Sequence, residues 1–441
     1  MHCGVKSSVH CGVELSSVSE MEQRGIERAL RGRIPQRGIQ QHRKEKDMSI
    51  QFADRMKDYE AGIFQVLNDK KAEAEKQGKK IYNLSVGTPD FPPAEHVMQA
   101  VIEAAKKPEN YKYALIDIPE LIEAVQKRYQ ERYDVNLEKD EIMSVYGSQE
   151  GISHICLSLC NAGDVVLVPN PGYPIFGIGP SLAGAEVVTY DLTEENHYLP
   201  DLEGMDEKLL ARAKCMIVSY PLNPVCKTAP DTFYERLIPW AIEHNIVIIH
   251  DNAYSDIIYD GRVGKSILRI PGAKKIAVEF YSLSKSYNYT GARMSFLTGN
   301  KEIVANFKRL RSQIDYGTYL PVQYGAVAAL TGSDAMVKEQ CMEYQRRRDA
   351  LCGGLRKIGW HMEDSEGTMF AWAKIPEGYT DDVDFVMELV EKTGVLCTPG
   401  RSFGSLGNGH VRFALTLPVE IIQEAVEAIA ASGMIMVSKC Q

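Results

Sequence analysis

Ile276-Ala277-Val278-Glu279-Phe280-Tyr281-Ser282-Leu283-Ser284-Lys285-Ser286-Tyr287-Asn288-Tyr289-Thr290-Gly291-Ala292-Arg293 joins a short apolar run to a polar turn. The run Ile276–Ser282 has the length and β-rich character of a strand buried on both faces. The turn carries a lysine flanked by small hydroxyls, with an arginine eight residues beyond it. Hydroxyls bind phosphate oxygens without bulk, and arginine binds them through a two-pronged fork. A lysine placed beside them is free to condense with an aldehyde. Taken alone, the same phrase also suits a surface lysine in a polar loop.

Similar runs lie upstream: Ile142–Tyr146, Val165–Pro169, Glu186–Tyr190, Cys215–Ser219 and Ile246–Asp251. Helical segments alternate with them, which points to a mostly parallel sheet covered on both faces. Helices are predicted over 59–77, 94–106 and 119–133, and long helices within 301–330. A short strand is predicted over 81–86, ending at Gly87 and Pro89. Beyond about 335 the pattern becomes helix, strands, helix, strand, helix. The expected fold class is α/β, a mostly parallel central sheet sandwiched by helices plus a smaller α+β domain. The large domain is expected over 94–330. The small one combines an N-terminal arm at 48–93 with 331–441.

The 441 residues are 44% apolar and 25% charged, an ordinary globular composition. A net charge of −9 argues against a sequence-independent nucleic-acid binder, which needs a basic face. The ten cysteines form no C-x-x-C pair, so they read as reduced thiols. No stretch suits a bilayer span or a signal peptide, so the expected place is the cytoplasm, with no membrane partner. Residues 1–47 repeat a short phrase, His2-Cys3-Gly4-Val5 and His10-Cys11-Gly12-Val13, before an Arg-rich stretch. Two His-Cys pairs suggest a metal site, but nothing there can bury a core. The expectation is a disordered extension before Met48, with no metal.

Open α/β sheets bind ligands beyond the carboxyl ends of their strands. The run ending at His250 leads into Asp251-Asn252-Ala253-Tyr254. Asp251 there can hold a pyridinium nitrogen protonated, with Tyr254 reaching the same ring. A helix N-cap is the alternative for Asp251. Asn223, before Pro224, is kept from the helical region, so its amide can project into the crevice, although Asn-Pro turns are frequent. Gly147-Ser148-Gln149 opens a helix and makes an anion site from backbone N–H groups. Tyr173 offers an aromatic face to a flat cofactor, or ordinary rim packing.

These strand-end sites, in this order, resemble the class I/II aminotransferases, the aspartate-aminotransferase fold type I of pyridoxal-phosphate enzymes. The resemblance covers essentially all of 50–435. It rests on the Ser282-x-Ser284-Lys285 phrase with Gly291 and Arg293, and on the interval from Asn223 to Asp251. It implies a pyridoxal 5'-phosphate cofactor and transfer of an amino group from an L-amino acid to a 2-oxo acid. Lys285 would form the Schiff base and shuttle the proton. Asp251 would pair with the ring nitrogen, Asn223 and Tyr254 would bond the ring oxygen, and Tyr173 would stack on the ring. Gly147, Ser148, Gln149, Ser282, Ser284 and Arg293 would hold the phosphate. Arg412 would grip the substrate carboxylate, with Gly87 lying against the substrate. Tyr113, with Tyr111 as its rival, would reach the cofactor of a partner subunit, so a homodimer with shared sites is implied. The stretch Tyr59–Pro93 looks most like LL-diaminopimelate and alanine-type members.

Three positions depart from the family pattern. Asn223-Pro224-Val225-Cys226 replaces asparagine-proline-threonine-glycine, Asp117-Ile118-Pro119-Glu120 replaces a glycine turn, and Ser295 stands for a glycine. None removes a reacting group. A lyase on the same fold, by β-elimination or cyclopropane formation, uses the same residues and is the alternative. A non-catalytic regulatory domain is a third reading, and residues 1–47 show no helix-turn-helix pattern to support it.

Overall fold

In the computed structural model, which describes residues 50–59 and 62–435, the chain divides after Ala53. Ile50–Ala53, the described part of the first unit, has no regular structure. All elements that follow lie in the second. Their strands are β1 (Tyr82–Asn83), β2 (Ile142–Val145), β3 (Val165–Asn170), β4 (Glu186–Asp191), β5 (Ala213–Ser219), β6 (Val247–Asp251), β7 (Ala277–Ser282), β8 (Ser295–Gly299), β9 (Phe370–Lys374), β10 (Val395–Leu396), β11 (Thr398–Pro399) and β12 (His410–Ala414).

Seven strands form one sheet in the order β2-β8-β7-β6-β5-β3-β4. The β7–β6, β6–β5, β5–β3 and β3–β4 pairings are parallel, and β8 runs against both of its neighbours. The central strands are apolar on both faces because both are covered. Cys215, Ile217, Ile249, Val278 and Phe280 pack in one layer with the helix Ser148–Leu159. The alternating Met216, Val218, Ile248, Ala277 and Tyr281 pack in the other. The edge strand β4 is largely uncovered, and its sequence is correspondingly mixed.

Register brings the strand ends into line: Ser219 pairs with Asp251, Asp251 with Phe280, and Ser282 with Ser295. The reversed β8 therefore begins at the edge where its parallel neighbours end. Two small sheets stand apart, β11-β12-β9 antiparallel and β1-β10 parallel. The strand predicted over 81–86 is shorter than expected. After Asn83 the backbone leaves the sheet, and Ser85–Thr88 line a cavity instead. The possible metal site at residues 1–47 lies outside the described residues.

Candidate active site

The carboxyl ends of β2, β3, β5, β6 and β7 face a cavity of about 430 Å³. Lys285 sits in the single helical turn Leu283–Ser286 that continues β7. Ser282 starts the turn: its Oγ accepts the Ser284 N–H at 3.2 Å and the Ser295 hydroxyl at 2.8 Å. Lys285 Nζ donates to the Gly87 carbonyl at 2.7 Å. Burial, and then the nearby Arg412 and Arg293, push its pKa down to about 8.

Asp251 ends β6 and is buried, and its Oδ1 has no hydrogen-bond partner among the described residues. Burial pushes its pKa up to about 6, against the pull of His250 and the Ala253 N–H. A buried carboxylate left this way calls for a cation or N–H donor from elsewhere. Tyr254 is buried beside it, edge-on to Phe370 at 6.0 Å, and burial raises its phenol pKa. Tyr173 donates its hydroxyl to Gln149 Oε1 at 3.2 Å across the mouth.

The anion end is built at the start of the helix Ser148–Leu159. Gly147 precedes it with φ +88°, and a Cβ there would collide with the Arg293 guanidinium. Glycine is required twice over, by backbone angle and by space. Ser148 Oγ is buried without a partner among the described residues. Arg293 itself has φ +54°, a left-handed conformation that costs about 1 kcal/mol or more and recurs at ligand sites. Its Nη1 donates to the Thr290 carbonyl at 3.2 Å.

At the other end Arg412, in the middle of β12, is buried and meets no carboxylate among the described residues. Nη1 donates to Asn223 Oδ1 at 2.9 Å, Nη2 to the Ser85 carbonyl at 3.4 Å, and Nε has no partner. The guanidinium lies 3.9 Å from the Phe370 ring centre and 4.6 Å from that of Phe403. Burial brings its pKa down to about 10. Phe370 also lies where any side chain at Gly87 would go.

Thirteen of the fourteen predicted site residues thus converge. Twelve line the cavity: Gly87, Ser148, Gln149, Tyr173, Asn223, Asp251, Tyr254, Ser282, Ser284, Lys285, Arg293 and Arg412. Gly147 supports its floor. Tyr113 is not among them: it is 80% exposed, with its ring 5.0 Å from that of Tyr316. Tyr111 is also outside, its hydroxyl bound to the Ala105 carbonyl at 2.9 Å. Sequence reasoning missed Ser85, Ser219, Thr290 and Phe370, which line the cavity too. Phe370 carries no chemical signal by type and the hydroxyls Ser85, Ser219 and Thr290 are common residues, although Ser219 and Thr290 sit at or near ends of runs already singled out. A larger cavity of about 710 Å³, walled by Tyr198, Tyr220 and Tyr234, contains none of the unpartnered groups. Its cations Lys227, Arg262 and Lys265 already face Glu363, Glu366 and Asp231.

The family described as Aminotransferase class I and II matches residues 79–429. The chain belongs to the class I and II aminotransferases. It is 40% identical over 384 residues to the LL-diaminopimelate aminotransferase of Aquifex aeolicus, spanning 86% of this chain and 98% of that one. It is 38% identical over 382 residues to the glutamate-pyruvate aminotransferase AlaC of Escherichia coli K12, spanning 86% and 92%. Among solved structures, substrate-bound BacF from Bacillus subtilis superposes with a TM-score of 0.84 at 34% identity, over 89% of this chain and 100% of that one. A Thermus thermophilus aspartate aminotransferase mutant superposes with a TM-score of 0.82 at 26% identity, over 87% and 100%. This aminotransferase is therefore a fold type I, pyridoxal-phosphate-dependent enzyme that moves an amino group between an amino acid and a 2-oxo acid. Its residues fit the cofactor. Asp251 Oδ1 lacks the donor that a ring nitrogen brings, Ser148 Oγ lacks a partner beside a helix start, and Gly147 leaves room for Arg293.

Proposed function

We propose that this aminotransferase carries its cofactor on Lys285 and binds the substrate carboxylate through Arg412. One observation carries the reading: three buried or half-buried charges, Asp251, Lys285 and Arg412, surround one cavity without a counter-charge among the described residues. When bound, pyridoxal phosphate supplies an aldehyde and an electron-withdrawing ring. Asp251 holds a proton at the ring nitrogen, and Asn223 and Tyr254 orient the ring's oxygen side. Gly147, Ser148, Gln149, Ser282, Ser284 and Arg293 hold the phosphate, and Tyr173 covers a ring face. Lys285 Nζ, with a pKa of about 8, takes and returns a proton near neutral pH. Arg412 fixes the amino acid by its α-carboxylate and leaves the Cα facing Lys285.

The test is a single half-reaction. Purified holoenzyme given an amino acid and no acceptor releases one equivalent of 2-oxo acid per site and no ammonia. A panel including LL-diaminopimelate and glutamate, with pyruvate as an acceptor, starts from the relatives' names. Catalytic ammonia release would favour the lyase reading instead.

The active form is proposed to be a homodimer in the cytoplasm. Tyr113, Leu115, Ile116, Tyr316 and Tyr319 form an exposed apolar strip joined by the Ala114–Gly317 bridge, which supports a protein partner there. Tyr113 is favoured over Tyr111 for the shared site because its hydroxyl is not engaged by its own subunit. Mixing the Lys285→Ala and Tyr113→Ala proteins should restore activity through a hybrid with one intact site. The cytoplasmic reading is supported by the seven cysteines among the described residues, all of them unpaired; among those residues no helix is long and apolar enough to cross a membrane. Parts at 48–93, 94–330 and 331–441 are proposed because the seven-stranded sheet draws only on 142–299 and the small sheets on 82–83 and 370–414.

A further inference from the structure

The helix Ala335–Lys357 is densely charged, yet Gln340, Tyr344 and Arg347 on it are only 6%, 0% and 4% exposed. Their spacing of four and then three residues puts them on one face. That face meets both the lysine turn and the segment bearing Gly87. Gln340 Nε2 donates to the Lys285 backbone carbonyl at 2.8 Å, and its Oε1 accepts from Asn288 Nδ2 at 2.7 Å. Asn288 Nδ2 also donates to the Pro92 carbonyl at 3.2 Å. Arg347 binds both carboxylate oxygens of Asp90, at 2.8 and 2.9 Å, and donates to the Leu415 carbonyl at 3.0 Å. The Phe91 ring lies 4.8 Å from the Arg347 guanidinium and edge-on to Tyr344.

We propose that Arg347, acting through Asp90 and assisted by Gln340, is a positioning residue that braces the segment 85–92 for substrate binding. The inference rests on the assignment of Lys285 as the cofactor lysine. Past Val86 the segment is tied beside the cavity by Lys285 Nζ at Gly87 and by the helix at Asp90 through Pro92, while Ser85 and Val86 are held by Thr398, Arg412 and Thr416. A lysine committed to a cofactor gives up free donation to Gly87, so the helix tie then holds the part of the wall beyond Val86. A two-pronged guanidinium–carboxylate pair fixes angle as well as distance. Because Arg347 also holds Leu415, three residues beyond Arg412, it indexes this wall to the strand that grips the substrate carboxylate. The same segment meets that strand's end directly, through Ala414 N–H to the Leu84 carbonyl at 2.6 Å and Thr416 to the Val86 carbonyl at 3.3 Å.

The experiment compares full-length holoenzyme with its Asp90→Asn variant, which keeps the volume and removes the charge. Expected is a rise in KM of about tenfold for amino and oxo acid alike, with cofactor occupancy and kcat per bound cofactor little changed. Arg347→Lys keeps a cation without the fork and should move KM the same way, so it serves if Asp90→Asn does not fold. A bridge that only holds the fold would lower the melting temperature and leave the KM of surviving holoenzyme at the wild-type value. That result overturns the proposal, as does cofactor loss at unchanged KM. Failure of the Lys285 assignment looks different: the Lys285→Ala protein would then keep wild-type turnover and the visible absorption of bound cofactor.

Discussion

Asp251 and Asp256 are both buried and lie five residues apart, but their surroundings are opposite. Asp256 accepts from Arg128 and Arg132 at 3.2 Å, Tyr281 at 3.0 Å and Ser286 at 2.7 Å. Burial alone would raise its pKa, and the two arginines outweigh it, so the carboxyl titrates below its ordinary value. Asp251 has the Ala253 N–H and little else, and is pushed up to about 6. The arginines divide likewise. Arg128 and Arg347 meet carboxylates, whereas Arg412 meets an amide, a carbonyl and two rings. Elsewhere the buried Asp256, Asp382, Arg128, Arg311 and Arg347 each meet an opposite charge. Around the cavity the answering charges must arrive with the ligands.

The largest effect is expected at Lys285. Lys285→Ala should lower turnover by at least about 10⁴-fold and remove the visible absorption of lysine-bound cofactor. Wild-type turnover in that variant would place the reacting amine elsewhere.

The two aspartates should then separate activity from stability. Asp251→Asn is expected to lower kcat by about 10²- to 10³-fold. Its effect on cofactor-free protein has the opposite sense. The folded pKa of Asp251 lies above the unfolded value, so its contribution is fully favourable below about pH 4 and is lost as pH rises through 6. Above that the protein carries a cost approaching about 3 kcal/mol. Asp251→Asn should therefore unfold at higher denaturant than wild type at pH 8, with the gap closing toward pH 4. Asp256→Asn leaves two arginines facing a neutral amide and should cost about 3–5 kcal/mol. Denaturation curves showing the same sign for both variants would break the comparison.

Arg412→Lys replaces a fork by a point charge. Affinity for both amino and oxo acids should fall about tenfold or more, with the cofactor spectrum unchanged. Equal affinity, or cofactor loss, would show that the guanidinium does another job. The mildest effect is in pH. With its pKa near 8, Lys285 is mostly protonated at pH 7 and mostly neutral at pH 9. Cofactor capture by cofactor-free enzyme should accelerate about tenfold between them. A midpoint near the ordinary lysine value of 10.5 would mean that burial does not tune this amine.

The parallel strands and their functional ends were legible because buried strands are short apolar runs and the crevice lies just past them. Lys285 was read from its flanking hydroxyls and the arginine beyond, Asp251 from the apolar run before it, and Asn223 from the proline after it. The strand β8 was not singled out, since Ser295-Phe296-Leu297-Thr298-Gly299 mixes polar and apolar residues and its direction is decided by pairing. The helix Ala335–Lys357 misleads differently. Arg347 and Arg348 look like a solvated face, but Asp90 and Asp260 are brought to them by distant segments. Phe370 beneath Arg412 was invisible for the same reason: its role exists only once β9 pairs with β12. The cysteine at the altered turn has a physical cost that composition does not announce. Cys226 adopts φ +65°, with its thiol donating to the Pro224 carbonyl at 3.0 Å and accepting from Thr368 at 3.3 Å.

The reversed direction of β8 turns the segment between Lys285 and Arg293 into a hairpin of fixed gauge. The group proposed to hold the cofactor covalently and the one proposed to hold its phosphate sit on the two arms of a single turn, locked by Ser282 against Ser295. Such a gauge has no slack: slipping β8 by one residue would turn its side chains to the opposite face and carry Arg293 off the Gly147 step. Insertions between 286 and 292 should thus act as a vernier on the lysine-to-phosphate distance, detuning cofactor hold while leaving the rest of the sheet in place.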